Sequence, residues 1–329
     1  MKTAFLHARL PYDIFVKQIL GFPEADINTV LRLLVALYGL KQASYEWHKL
    51  LSSTLAALGL LHCEADHAVF VGRWTTPPHI SVSLPSSGKP LLLIIPIHVD
   101  DGLAISNSLP LYNWFISEIS KSIKIVCLGL VLNTRYLSQR IIRNCTNKTI
   151  QISQSDLIIT LLEDWGLHNC KTLPVPLQHN PSSLPPCSPN ACNEIPDDKI
   201  LISYQCLVSS LTYLAICTRP DITYAAMALG QFNASPSQSH LVCAKGVLHY
   251  LAGTVNLCLQ FPSPTHIPDM SLFPPTCGLS DMDWASDETD HKSISGYSFY
   301  FLSSLVLWSS QKTKNGFNFF NQIRILHAH

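Results

Sequence analysis

The segment that most constrains this chain is Leu91–Val99, nine residues without a carboxylate, lysine or arginine, which stops at Asp100-Asp101-Gly102. A continuous apolar run of this length, closed by a turn signal, reads as a buried strand. After Gly102 the apolar character resumes over Leu103–Ile105, so the expected unit is a hairpin with an acidic tip. Burying such a strand fixes two carboxylates at one place on the rim of a sheet. Neighbouring side chains on a strand point opposite ways, so one carboxylate can ligate directly while the other plays a secondary part. Carboxylate oxygens are hard ligands suited to Mg²⁺. Two such ions about 4 Å apart can clamp the attacking and leaving oxygens of an in-line displacement. On its own, the Val-Asp-Asp triplet reads more readily as a solvated polar tip.

The rest of the chain sets the hairpin in an α/β (α+β) context. Residues 1–20 read as an extended segment, a turn at Pro11 and a strand at Ile14–Val16. A helix is expected from Gln42 to Leu58, with Trp47, Leu51, Leu55 and Leu58 at helical spacing and Gly59 as its C-terminal stop. Val69–Val71 reads as a strand, and Pro110 opens a helix carrying Leu111, Trp114, Phe115 and Ile119. Ile150–Ser153 reads as a strand and Asp156–Trp165 as a helix. Residues 173–199 hold seven prolines and read as a linker. A helical region follows over Ile200–Leu251. Then come three β-like runs, Cys277–Ala285, Ile294–Leu302 and Leu305–Ser309, expected to form an antiparallel meander. The expected division is therefore 1–172, a linker at 173–199, a helical connection at 200–268 and a final β domain at 269–329.

Composition narrows the partners. Apolar residues make up 47 % of the chain and charged residues only 13 %, enough for a sizeable core under a sparsely charged surface. The 22 basic residues are balanced by 22 acidic ones, so any grip on phosphates must come from local patches. The eleven cysteines include no CxxC pair, which argues against a zinc site and fits reduced thiols. The start has no apolar stretch of signal-peptide length. The run Ile200–Thr218 carries Ser203, Gln205, Ser209, Ser210 and Thr212, so it is expected to be a buried helix rather than a membrane span of about 20 apolar residues. The expected location is intracellular, cytoplasm or nucleus.

The order of motifs carries a resemblance. KTAFL at the start, LYGLKQA with Trp47 behind it, EAD followed by Val69-Phe70-Val71, and HVDD resemble the palm of copia-type retrotransposon reverse transcriptases. That family reads KTAFLNG, SLYGLKQAPRQW, EADPCVY and YVDD. Further on, Ile150–Gln154 is similar to its LSQ segment and Val175-Pro176-Leu177 to its TPL. LTYLAICTRPDITY (211–224) is similar to its LMYLAVCTRPDIAY. Asp281-Met282-Asp283-Trp284 and KSISGY (292–297) resemble the start of its ribonuclease H domain. The resemblance implies a palm of antiparallel sheet and helices, a helical connection and a truncated ribonuclease H-like meander. It implies RNA or DNA template–primer and dNTP as partners, Mg²⁺ as cofactor and the remainder of a Pol polyprotein as context. Residue by residue, it implies Asp100 as a metal ligand and Asp101 as its auxiliary. Gln42 would touch the incoming nucleotide, and Phe5 would crowd the sugar 2′ position, where a hydroxyl marks RNA. Asp281 would be the first ribonuclease H carboxylate, with Asp283 a possible helper.

The departures shape the functional expectation. The family's first palm aspartate stands two residues before the lysine of KTAFL, whereas here Met1 directly precedes Lys2. His98 replaces the usual tyrosine, and no acidic residue follows Asp290. The expectation is a fragment of reverse-transcriptase lineage that is catalytically incomplete as written. An active polymerase domain and a non-catalytic nucleic-acid-binding remnant are the alternatives.

Overall fold

A computed structural model describes residues 1, 3–18, 21, 29–79, 82–83, 88–178, 198–262, 275–282 and 293–312. The chain forms two compact units, Met1–Gly129 and Leu130–His329. The division falls inside the span 1–172 that the sequence reading groups together.

The first unit is built around the apolar strand. β3 (Leu61–His62), β4 (Val69–Trp74), β5 (Leu91–His98) and β6 (Asp101–Gly102) lie in that order in one antiparallel sheet, and β7 (Ile105–Ser106) also pairs with β5. Although β5 is apolar throughout, its burial alternates. Leu91, Leu93, Ile95 and Ile97 are buried, while Leu92, Ile94 and Pro96 are only half covered. Two amphipathic helices complete the core. α1 (Ala43–Ala57) buries Trp47, Leu51 and Leu55, and α2 (Leu109–Ile119) buries Leu111, Phe115 and Ile119. Both sets repeat every four residues, the stripe that lets a helix bury one face. The Ser108 hydroxyl caps α2 by accepting from the Leu111 amide. Gly59 ends α1 at φ 84°, as its position predicts. The strand predicted at Val69–Val71 runs on to Trp74, whose ring lies over Gly72; a Cβ there would sit 2.1 Å from that ring.

The opening of the chain differs from the extended segment expected. Ala4–His7 is a 3-10 turn. Ala4 and Phe5 are consecutive and both buried, and Ala8 one turn on is buried too. A strand cannot aim successive side chains at one core, whereas a helical turn can. The strand expected at Ile14–Val16 forms one residue later, as β1 (Phe15–Lys17), and pairs with β2 (Val30–Arg32).

The second unit holds a sheet of β8 (Asn133–Tyr136), β9 (Gln139–Asn144), β10 (Thr149–Ser153) and β11 (Leu259–Phe261), in the order β11-β10-β9-β8. Its helical core comprises α3 (Ser155–Asp164), α4 (Asp198–Cys217), α5 (Thr223–Gly230) and α6 (Gln238–Gly253). Among the described residues, α4 is the one helix long and apolar enough to cross a membrane. It also sends Tyr204, Leu207, Val208, Leu211, Leu214 and Ala215 into this core, consistent with the buried helix expected from its sequence. The meander forms as expected from β12 (Thr276–Met282), β13 (Ile294–Phe301) and β14 (Ser304–Lys312). Most of the proline-rich segment lies outside the described residues.

One polar network ties a buried arginine of this unit to an aspartate at its surface. Arg219 is 1 % exposed and donates to both Asp221 carboxylate oxygens, to the Thr254 carbonyl and to the Thr254 hydroxyl. The Tyr250 hydroxyl donates to Asp221 at 2.8 Å. Burial by itself pushes the Asp221 carboxyl up, but the Arg219 guanidinium and the Tyr250 hydroxyl hold it below its ordinary value of 3.8. A carboxyl whose folded pKa is depressed stabilises the fold at pH above its unfolded value, and that contribution is lost as pH falls through the folded value. Unit two is therefore expected to lose stability in acid below about pH 3.8. Asp221→Ala strands a buried guanidinium and should cost about 3 kcal/mol at neutral pH, read by denaturant unfolding. That variant should also show a flatter acid limb than the parent chain.

Candidate metal-binding hairpin

The site is the turn between β5 and β6. Ile97 pairs with Gly102 and His98 with Asp101, which leaves Val99 and Asp100 as the two residues of the loop. Two-residue hairpin loops need positive φ at their first or at both central positions to match the twist of the strands. Val99 supplies it at φ 56°, while Asp100 stays outside the left-handed region. Glycine is the usual residue at such a position. A β-branched residue there is an outlier that carries about 1–2 kcal/mol of backbone strain.

Two groups hold the carbonyls of this turn. Trp47 on α1, 3 % exposed, donates its indole N–H to the Val99 carbonyl at 2.7 Å. The amino group of Met1 donates to the Asp100 carbonyl. The carboxylates themselves remain towards solvent, Asp100 half-buried and Asp101 exposed. In place of the alternation expected of strand neighbours, Asp100 is a turn residue and Asp101 the first residue of β6.

The other residues singled out by sequence fall as follows. Phe5 is buried in the 3-10 turn, its ring centroid 4.6 Å from that of the exposed Tyr38. Gln42 caps α1 through its backbone, its carbonyl accepting from the Glu46 amide at 3.1 Å, and its side chain is exposed. Asp281 lies exposed on β12, opposite Gly296 in unit two. Asp283 lies outside the described residues. Sequence reasoning placed Trp47 on the apolar face of a helix and in the LYGLKQA resemblance, without a role at the hairpin. The signal that pointed further was chemical, since a buried indole needs an acceptor for its N–H. Glu46, 6 % exposed and accepting from the Tyr12 hydroxyl at 3.2 Å, was not anticipated.

Two carboxylates on a rigid tip are suitable donors for a hard divalent cation, but they are a partial set. Among the described residues, no group of three or more His, Cys, Asp or Glu side chains is gathered so as to hold a metal ion.

Residues 1–179 match the family described as reverse transcriptase (RNA-dependent DNA polymerase). This chain belongs to that family. It is 30 % identical over 315 residues, 95 % of its length, to the retrovirus-related Pol polyprotein from transposon TNT 1-94 of Nicotiana tabacum. It is likewise 30 % identical, over 95 % of its length, to that from transposon RE1 of Arabidopsis thaliana. A transposon Ty5-1 protein of Saccharomyces cerevisiae is 28 % identical, and the match covers 92 % of it. The chain spans only 22 % and 19 % of the TNT 1-94 and RE1 polyproteins, so it corresponds to the reverse transcriptase domain of a copia-type Pol polyprotein. No solved structure matches it.

Neither aspartate side chain is buried or committed to an ion pair among the described contacts. Asp101→Asn is therefore expected to change folding stability by less than about 0.5 kcal/mol in thermal unfolding, so a functional loss in that variant reports chemistry rather than unfolding.

Proposed function

We propose that the hairpin is the metal-carboxylate element of a nucleotidyl-transfer palm, and that the described residues supply only part of its metal site. The observation that carries this reading is the pair Asp100–Asp101 on a pinned tip, with no third metal-binding side chain gathered there among the described residues. In this reading Asp100 is the metal ligand and Asp101 its auxiliary. The exposed Gln42 faces the nucleotide, and Phe5 closes the space where a 2′-hydroxyl would sit. Template–primer of RNA or DNA and dNTPs are the substrates. When bound, Mg²⁺ would supply charge stabilisation for the transferring phosphoryl group. The missing donors come from the rest of a Pol polyprotein. Because the Met1 amino group meets the Asp100 carbonyl, a segment joined upstream of Met1 would enter beside the hairpin. The three-stranded meander is the front of a ribonuclease H-like fold with Asp281 as its first carboxylate.

Primer extension decides the matter. The 329-residue chain with Mg²⁺ should extend a primer no better than its own Asp100→Asn variant. Joined at Met1 to the upstream polymerase segment of the TNT 1-94 polyprotein, it should gain extension that falls on the order of a thousandfold in Asp100→Asn, the size of several kcal/mol of lost metal stabilisation. Asp100-dependent synthesis by the chain alone would overturn the incompleteness. A fused chain that binds template–primer but never extends it would overturn the polymerase reading. In the fused chain, Phe5→Val should admit ribonucleotides more readily relative to deoxynucleotides, measured as a ratio of incorporation rates.

A further inference from the structure

We infer that Trp47 is a positioning residue for the carboxylate hairpin: its indole N–H holds the Val99 carbonyl, keeps the strained turn in its left-handed state, and so sets where Asp100 and Asp101 point. The inference deepens the metal-hairpin reading and rests on it for its functional meaning, but its physical content is independent of catalysis.

Four observations carry it. Val99 is the first residue of a two-residue loop at φ 56°, a conformation that a β-branched residue disfavours. Strain of this kind persists only where the surroundings over-determine it. The nearest such determinant is Trp47 Nε1, 2.7 Å from the Val99 oxygen and donated from a side chain 3 % exposed. The indole cannot drift to another acceptor, because Trp47 is packed into the hydrophobic core of the same unit with Leu51, Leu55 and Ile97 among its members. Beyond the Met1 amino group on the Asp100 carbonyl, the turn itself has little else to fix it. Val99 is 39 % exposed, and β6 contributes only two residues of pairing. Helix α1 thus reaches across 52 positions of sequence to a single carbonyl at the site. Losing that contact frees the turn to relax towards a negative φ at Val99, and the carboxylates that flank it swing with the backbone.

The consequence is a specific coupling. If the indole bond offsets the strain of Val99, removing the strain should make the bond dispensable. Amide hydrogen exchange over residues 97–102 of the full chain reads this without any catalytic assay. Trp47→Phe is expected to speed exchange at the Asp101 amide about fivefold, the scale of one net hydrogen bond, while amides in the middle of β4 stay unchanged. In a Val99→Gly background, the same Trp47→Phe change should alter hairpin exchange by less than about twofold, since glycine adopts positive φ without strain. Where Trp47→Phe disturbs the core, a benzothienylalanine in place of Trp47 keeps the ring shape and lacks the N–H, and it should reproduce the local loosening. Hairpin exchange unchanged in the benzothienylalanine chain, or loosened equally with and without Val99→Gly, overturns the inference. Mn²⁺ relaxation enhancement on the same proteins separates the two claims. Loosened exchange with unchanged, measurable Mn²⁺ binding means Trp47 positions the turn but not a metal site. Loosened exchange with no Mn²⁺ binding in the parent chain is the result an incomplete metal site gives, and it leaves the positioning role standing.

Discussion

The first unit depends on one constraint: a strand apolar along its whole length must be buried, and its end must not be. β5 meets it by running through the middle of an antiparallel sheet and emerging at Val99–Asp100, where the chain reverses in the fewest residues a hairpin allows. Apolar burial is the dominant favourable contribution to folding and scales with the area removed from water. The four inward residues Leu91, Leu93, Ile95 and Ile97 therefore anchor the tip far more firmly than any contact made by the aspartates. The carboxylates need no partner of their own to be well placed. They inherit their position from the strand behind them and from the turn whose carbonyl Trp47 holds.

That inheritance explains which parts of the molecule were legible in sequence. α1, α2, β10, α3 and the meander were readable because periodicity and punctuation agree there: Pro110 in the first turn of α2, Gly59 after α1, three β runs in succession near the end of the chain. The opening turn was not, because Ala4-Phe5 is a pair whose burial depends on a core assembled from residues as far along the chain as Ile123; no local pattern announces that both must face inwards. The pairing of β10 with β11 was equally hidden, since Ile150–Ile152 meets Leu259–Phe261 across more than a hundred residues. At the site, the two carboxylates were legible as a motif, whereas the means of holding them was not. Trp47 looks the same in sequence whether its N–H meets a carbonyl of its own helix or one at the far end of the sheet.

The two units keep different kinds of polar group. In unit two, Arg219 is sealed in and each of its three guanidinium nitrogens donates to an acceptor, so the TRPDI segment (218–222) is a structural fastening. A buried guanidinium is tolerable only when paired and hydrogen-bonded, and its value lies largely in the cost of removing one partner. In unit one, the aspartates at the hairpin tip are left accessible and their geometry is imposed from the backbone. The shared family resemblance of both motifs thus has two physical origins, stability in one and an exposed charge pair in the other.

A tip built this way has a further property. Its negative charge is concentrated on two neighbouring residues that the chain does not neutralise among the described ion pairs. Like charges this close repel, and a divalent cation is the group that relieves the repulsion most efficiently, since hard oxygen ligands are what such ions select. Two carboxylates on an open rim bind such an ion weakly, because most of its coordination stays with water and the entropy of ordering it is not recovered by further protein ligands. The same openness that leaves this hairpin a poor metal site by itself leaves its rim accessible to a third donor from another segment. In the proposed reading, the strained, indole-held turn is what would keep the two carboxylates in place for that donor.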